Sequence, residues 1–229
     1  MSKKTVAEIA LDKPASVRVF EELGIDYCCG GNVSLEQACA HAGVSFSDVQ
    51  HKLASLDAPA GEDRDWSRVG LDELTTHIVE RHHAFIRREA PHIELLLAKV
   101  VARHGAGNPE YATIEETFRA VSSELMAHML KEEKVLFPLI AALEAGATSS
   151  VRAPITRMMA EHDDAATLLR QIRSLSHDFV PPDGACPTLR ATLASLDGFE
   201  RDLHLHVHLE NNLLFPRALA LTEGSTRAS

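Results

Sequence analysis

Two stretches of the chain repeat a pattern able to hold a metal: His128-x-x-x-Glu132-x-x-x-Leu136-Phe137-Pro138 and His206-x-x-x-Glu210-x-x-x-Leu214-Phe215-Pro216. Residues four apart lie on one face of an α-helix, one turn from each other, so each pair offers an imidazole and a carboxylate to one point. A single pair of this kind is an ordinary surface couple; two copies with the same Leu-Phe-Pro ending predict more. Upstream, His83 precedes His128 by 45 residues and His162 precedes His206 by 44. The chain reads as two helical hairpins, each presenting one histidine and then His-x-x-x-Glu. At about 1.5 Å of rise per residue, antiparallel packing sets early positions of the first and third helices level with late positions of the second and fourth. His83, His128, Glu132, His162, His206 and Glu210 then meet at one end of a bundle. Without a common partner, so many polar groups at one buried level would carry a heavy desolvation cost.

Four imidazoles and two carboxylates suit iron or manganese rather than a thiolate-rich zinc site. If both glutamates bridge two metals, each ion receives two histidines and two oxygens. A solvent-derived oxo or hydroxo bridge raises this to about five ligands, leaving a six-coordinate ion one position for a small molecule such as nitric oxide or dioxygen. The expected cofactor is thus a pair of non-haem iron or manganese ions. Ferritin-like centres instead use Glu-x-x-His motifs, and only Glu80-x-x-His83 has that spacing near this site. His82 competes with His83, since one residue of register separates them. His104 lies 21 residues beyond His83, roughly 30 Å along a continuous helix, and ligates only if the first helix breaks. His204 and His208 face away from His206, toward solvent or an interface, and His41, His51, His92 and His177 read as surface residues. Glu124, one turn before His128, and Glu161, beside His162, are the candidates to hydrogen-bond ligand imidazoles.

The elements that must position these residues are helical throughout: an all-α chain with a small N-terminal helical domain and an up-down-up-down four-helix bundle. Ala, Leu, Glu and Arg dominate the composition and aromatics make up 5%, a mix that favours helix over strand. In the N-terminal domain, residues 1–57, helices are expected over Thr5–Leu11 and Pro14–Leu23, from Ser34 with Gln37 completing a capping box, and after Ser47. Residues 58–70, rich in Pro, Gly and charge, read as a linker. Long helical patterns cover Leu71–His104, Ile114–Ala145, Pro154–Ser176 and Thr188–Ala220 within a domain of residues 71–221, and 222–229 read as a tail. A net charge of −10 argues against a nucleic-acid partner. No apolar run approaches the ~20 residues of a membrane span, no signal peptide is evident, and the adjacent Cys28 and Cys29 do not suit a disulfide scaffold. These features predict a soluble, cytoplasmic protein. Gly30 and Gly31 suggest a tight turn that leaves the two thiols accessible, whereas Cys39 and Cys186 read as structural.

Together, Asp26-Tyr27-Cys28-Cys29-Gly30-Gly31, His128-Met129-x-Lys131-Glu132-Glu133, Glu161-His162-Asp163 and His208-x-Glu210-Asn211-Asn212-x-Leu214-Phe215-Pro216 resemble the repair-of-iron-centres family (the YtfE/ScdA/NorA type) over nearly the whole chain. The resemblance implies a haemerythrin-like di-iron protein, often dimeric, of the nitrosative and oxidative stress response. It also implies restoration of damaged iron–sulfur clusters by iron donation to apo-proteins, together with nitric oxide binding. The same six side chains are its implied iron ligands. Its vicinal cysteines, here Cys28 and Cys29, would carry electrons, hold iron in transit or take up a nitrosyl group. Two alternatives stand beside repair: a nitric oxide reductase forming nitrous oxide, and a haemerythrin-like oxygen or nitric oxide carrier or sensor.

Overall fold

A computed structural model describes residues 4–56 and 66–226. No strand occurs among them beyond a single Thr5–Ser34 bridge, and no helix is long and apolar enough to cross a membrane. Four short helices come first: α1 (Val6–Asp12), α2 (Ser16–Glu22), α3 (Leu35–Ala42) and α4 (Phe46–Ala54). Thr5 with Glu8, and Ser34 with Gln37, form reciprocal capping boxes that satisfy amides otherwise orphaned at a helix start. The fourth helix, expected to follow Ser47, begins two residues earlier, at Phe46. Its cap is Ser45, whose hydroxyl accepts from the Asp48 amide, so Ser47 falls inside the first turn.

Three of the four long helices are continuous but locally widened. α5 runs through Leu71–His77, a π-helical turn at Ile78–His83, and Ala84–His104. α6 runs through Glu110–Lys131, a π turn at Glu132–Leu136, and Phe137–Glu144. α7 is Arg152–Leu175. α8 runs through Pro187–Leu209, a π turn at Glu210–Leu214, and Phe215–Thr226. Two of the turns have a cause in the repeat. Pro138 and Pro216 cannot donate to the carbonyl four residues back, and their rings would collide with it. That carbonyl belongs to Lys134 and Asn212 respectively, inside each widened turn. No proline follows Ile78–His83 in the same way.

α5 packs on α6 and α8, and α6 on α7. Two apolar clusters fill the interior. One joins the N-terminal helices to the far part of the bundle, through residues such as Phe20, Tyr27, Leu35, Phe118 and Phe199. The other, with Leu74, Ile78, Leu136, Phe137, Leu214 and Phe215, closes the opposite end. The candidate site lies between them. In the α7–α8 connection, His177, Asp178 and Phe179 take left-handed backbone angles in succession. The buried Phe179 ring anchors this uncommon conformation beneath the Arg173 guanidinium, 4.8 Å from the ring centre.

The start of the tail shifts. The last helix continues through Thr226, into the expected tail; residues 227–229 lie outside the described residues. Residues 57–65 of the linker also lie outside them. Its end, by contrast, is held against the bundle: Trp66–Arg68 forms a 3₁₀ turn, Trp66 stacks on His77, and Arg217 donates to the Trp66 and Val69 carbonyls.

Candidate metal centre

His83, His128, Glu132, His162, His206 and Glu210 meet in one layer, each no more than 2% exposed. They form two overlapping groups: His83 and His206 with Glu132 and Glu210, and His128 and His162 with the same two glutamates, the donor atoms of each group lying within 4.8 Å of one another. The carboxylates divide their oxygens between the groups. Glu132 Oε2 lies 3.4 Å from His83 Nε2 and Oε1 lies 3.3 Å from His128 Nε2. Glu210 Oε1 lies 3.1 Å from His206 Nε2 and Oε2 lies 3.1 Å from His162 Nε2. Within each group two imidazole Nε2 atoms approach each other, at 3.2 Å for His83 and His206 and 3.1 Å for His128 and His162.

These distances test whether metals fit. Two nitrogens bound to one ion at about 2.1 Å and at right angles lie about 3 Å apart. Both Glu132 oxygens and Glu210 Oε2 are buried and lack any hydrogen bond among the described residues, although imidazoles are close. Buried carboxylate oxygens without donors are costly unless a cation takes that place. Residue types, spacing and orphaned atoms all fit a pair of divalent ions. The electrostatics agree. Burial pushes the His128 pKa down, but Glu132 and Glu210 outweigh it and raise it to about 9. Burial likewise opposes ionisation of Glu210, yet His206 and His162 hold its carboxyl well below the usual range. Metal binding would replace the protons these groups otherwise hold between them.

The far nitrogens orient the rings. His83 Nδ1 donates to Glu133 at 2.7 Å, and Arg87 also donates to that carboxylate. His128 Nδ1 donates to Glu161 at 2.9 Å, with Lys131 and Arg157 on the same group. Burial alone would raise the Glu161 pKa, but Lys131, His128 and Arg157 bring it to about 2. His162 Nδ1 donates to Asn211 Oδ1 at 2.9 Å, and His206 Nδ1 has no hydrogen-bond partner among the described residues. Each donation leaves a lone pair on Nε2, the atom turned into the layer. The repeated phenylalanines pack beneath two of these imidazoles: Phe137 lies near-parallel to His83 and Phe215 to His162, at 5.9 and 6.1 Å.

Of the two outer-partner candidates, Glu161 takes the expected place and Glu124 does not. Glu124 is exposed and touches no imidazole among the described residues; one turn before His128 on the same helix, it borders a surface cleft beside His128, Lys131 and Glu161. Glu133 and Asn211 were not anticipated. They occupy equivalent places in the repeat, directly after Glu132 and Glu210, and a comparison of the two copies would have singled them out. Replacing Glu161 by alanine is expected to lower metal affinity about 10–100-fold, and Glu124→Ala to leave it unchanged; competition with a chelator of known affinity reads both.

Of His82 and His83, it is the His83 ring that turns into the layer. His82 turns to Asp202, which accepts from its Nδ1 at 3.0 Å. Glu80 is exposed. The first helix does not break, and His104 sits at its far end, 3.3 Å from the Cys186 thiol that caps α8. His204 and His208 are interface residues rather than solvated ones. His204 meets Glu21, and His208, 4% exposed, meets the Tyr27 carbonyl. The expectation of two accessible thiols also needs correction. Cys28 is buried and only Cys29 is partly exposed. Asp26 gathers both of their backbone amides and turns the loop against α8, where Asn212 donates to the Tyr27 and Cys28 carbonyls. The Cys29 thiol alongside and burial together push the Cys28 thiol pKa up.

Comparison with known proteins agrees with this geometry. Residues 74–218 match the haemerythrin HHE cation-binding domain, and residues 2–57 match the ScdA N-terminal domain, a domain of unknown function (DUF542). The iron-sulfur cluster repair protein YtfE of Edwardsiella ictaluri is 39% identical over 94% of this chain and 96% of its own length. The YtfE proteins of Pectobacterium carotovorum and Dickeya chrysanthemi are each 36% identical over the same shares. The chain belongs to the haemerythrin HHE cation-binding family, in the two-domain form that begins with an ScdA-type domain.

Proposed function

We propose that the protein restores damaged iron–sulfur clusters, acting in the cytoplasm and handing iron to apo-proteins from a di-iron centre. His83, His206, Glu132 Oε2 and Glu210 Oε1 would hold one iron, and His128, His162, Glu132 Oε1 and Glu210 Oε2 the other. The observation that carries this reading is the division of each carboxylate between two histidine pairs. The bound metals would supply Lewis acidity and one-electron redox capacity toward diatomic ligands such as nitric oxide or dioxygen.

The chain's own groups account for holding and releasing such a cargo. Glu133 and Glu161 keep the His83 and His128 Nδ1 protons in place, so the Nε2 lone pairs stay aimed inward. The apolar layers on either side keep water from the carboxylates. Carboxylates take up protons and change denticity more readily than thiolates leave, which suits a site that must let iron go. Asn211 ties the centre to the N-terminal thiols, accepting from His162 and approaching the Cys28 carbonyl at 3.5 Å. Cys28 and Cys29 are the groups we assign to iron in transit or to uptake of a nitrosyl group.

Anaerobic purification, iron counting and incubation with an apo-cluster acceptor test this directly. About two irons per chain, passing to the acceptor, are expected; no iron, or zinc in its place, would overturn the proposal. A second reading, reduction of nitric oxide to nitrous oxide, draws on the same shared carboxylates, which would put two metals side by side. Repeated nitrous oxide formation under an external reductant, without iron loss, would favour it over repair.

A further inference from the structure

The N-terminal helices and the bundle enclose a cleft of about 360 Å³, within the size range of small-molecule sites. Its walls combine three chemistries. Leu11 of α1, Val17 of α2, and Leu205 and Leu209 of α8 supply an apolar face. Trp66, His77 and His82 supply aromatic rings in contact with one another: Trp66 stacks on His77 at 3.9 Å, and His77 meets His82 edge-on at 5.7 Å. Arg18 and Arg81 stand at the border. Arg81 shares its charge with Asp202, while Arg18 is exposed and has no carboxylate partner among the described residues.

Two further groups border the cleft, the imidazoles of His82 and His208, each 4% exposed. The Nδ1 of His82 donates to Asp202. The Nδ1 of His208 lies 3.3 Å from the Tyr27 carbonyl, which can only accept, and 3.0 Å from Asn212 Nδ2. Asn212 Nδ2 also reaches the Tyr27 and Cys28 carbonyls, so the contacts at His208 fit either tautomer. The His82 ring, donating from Nδ1, carries a lone pair on Nε2. That Nε2 has no partner among the described residues and is not sealed from accessible space. Nearly buried acceptors of this kind call for a donor.

We infer that this cleft binds a small aromatic acid bearing a hydroxyl donor at the end remote from its acid group. The acid pairs with Arg18 at the border, the ring packs among the apolar and aromatic walls, and the hydroxyl donates to Nε2 of His82. The site has a bearing on the proposed metal centre as well. The His82 ring lies parallel to the His206 ring, 5.7 Å apart, so an occupant touches the residue that backs one of the six donors.

Trp66 is the single tryptophan of the chain and borders the cleft, so its fluorescence reports occupancy with no dependence on activity. The full-length protein is titrated with 4-hydroxybenzoate, exciting at the red edge of the indole band, with calorimetry on the same samples to read binding that leaves the indole silent. Saturable binding is expected. Phenol, lacking the acid, and benzoate, lacking the donor, should bind at least about tenfold more weakly. Arg18→Gln, a surface change that should spare the fold, should weaken 4-hydroxybenzoate by a similar factor and leave phenol unaffected. No saturable binding by either method, equal affinity for all three probes, or indifference to Arg18→Gln would each overturn the assignment.

Discussion

Glu132→Leu is expected to abolish iron transfer to an apo-cluster acceptor and to leave at most about one iron per chain, because both proposed metals share this carboxylate. The effect on stability should have opposite signs with and without metal. In the metal-loaded protein, a ligand at a thousandfold excess over its dissociation constant contributes about 4 kcal/mol. For a chain of this size that is roughly 8–16 °C in melting temperature. The variant should lose most of that gain. In the metal-free protein at mildly alkaline pH, the nearby imidazoles can shed their protons once the carboxylate is gone. What leucine then removes is a fully buried carboxyl group whose two oxygens have no hydrogen bond among the described residues, and replacing a buried ionisable group with an apolar group of similar volume is often neutral or stabilising. Differential scanning calorimetry with and without ferrous iron separates the two. A variant that keeps the full metal-dependent gain, or that still transfers iron at the parent rate, would remove Glu132 from the centre.

The level of the centre was legible because helical rise is nearly constant: early and late positions in antiparallel helices of known length must coincide. The choice between His82 and His83 was not legible locally. What turns His82 aside is Asp202, 120 residues away, which accepts from its Nδ1. Glu124 looked suitable because it precedes His128 by one turn, but a residue on the same helix cannot easily reach the far side of that imidazole. The groups that do reach Nδ1 of His83, His128 and His162 come from neighbouring helices: Glu133, Glu161 and Asn211. The burial of Cys28 was hidden for a related reason. A Cys-Cys-Gly-Gly turn is exposed by its own composition, and only docking against Asn211, Asn212 and His208 covers it.

The two halves of the repeat also differ where their geometry matches. After the shared glutamate, one copy places Glu133 on His83 and the other places Asn211 on His162. Before the first histidine of each hairpin, Glu161 bonds His128, whereas His82 only lies alongside His206. The group containing His128 and His162 thus has a hydrogen bond on both outer nitrogens, and the group containing His83 and His206 on only one. A carboxylate partner makes an imidazole a stronger donor than an amide does, so the two proposed metal positions are unequal in basicity as well as in support. Their symmetry of position is not a symmetry of chemistry.

Gly31→Ala is expected to release the N-terminal cysteines while leaving the metal donors in place. A methyl group at Gly31 would fall 2.4 Å from the Tyr27 carbonyl oxygen and 2.9 Å from the Ala7 side chain. The Gly31 carbonyl itself accepts from the Ala7 amide, so neither the loop nor α1 can move aside without losing that bond. Tyr27 is also where His208 and Asn212 attach to the loop. Forcing the carbonyl outward therefore undoes the contact between the Cys28–Cys29 turn and α8. Overpacking of this kind costs about 1–3 kcal/mol, which as a local opening equilibrium is roughly a 5–150-fold rise in the open population. Alkylation of Cys28 at fixed pH should accelerate by that factor, since its thiol is 5% exposed in the closed arrangement. Gly30→Ala should give a smaller acceleration: the nearest atom to its added methyl is Asp26 Oδ2, at 3.0 Å, which can shift by a few tenths of an ångström while Oδ1 keeps the Cys28 and Cys29 amides. Iron content should be unchanged in both variants, because all six proposed donors sit on α5, α6, α7 and α8. Slow alkylation of Cys28 in Gly31→Ala would mean that something other than this docking contact shields the thiol. Loss of iron would mean that the N-terminal domain supports the centre more directly than Asn211 alone allows.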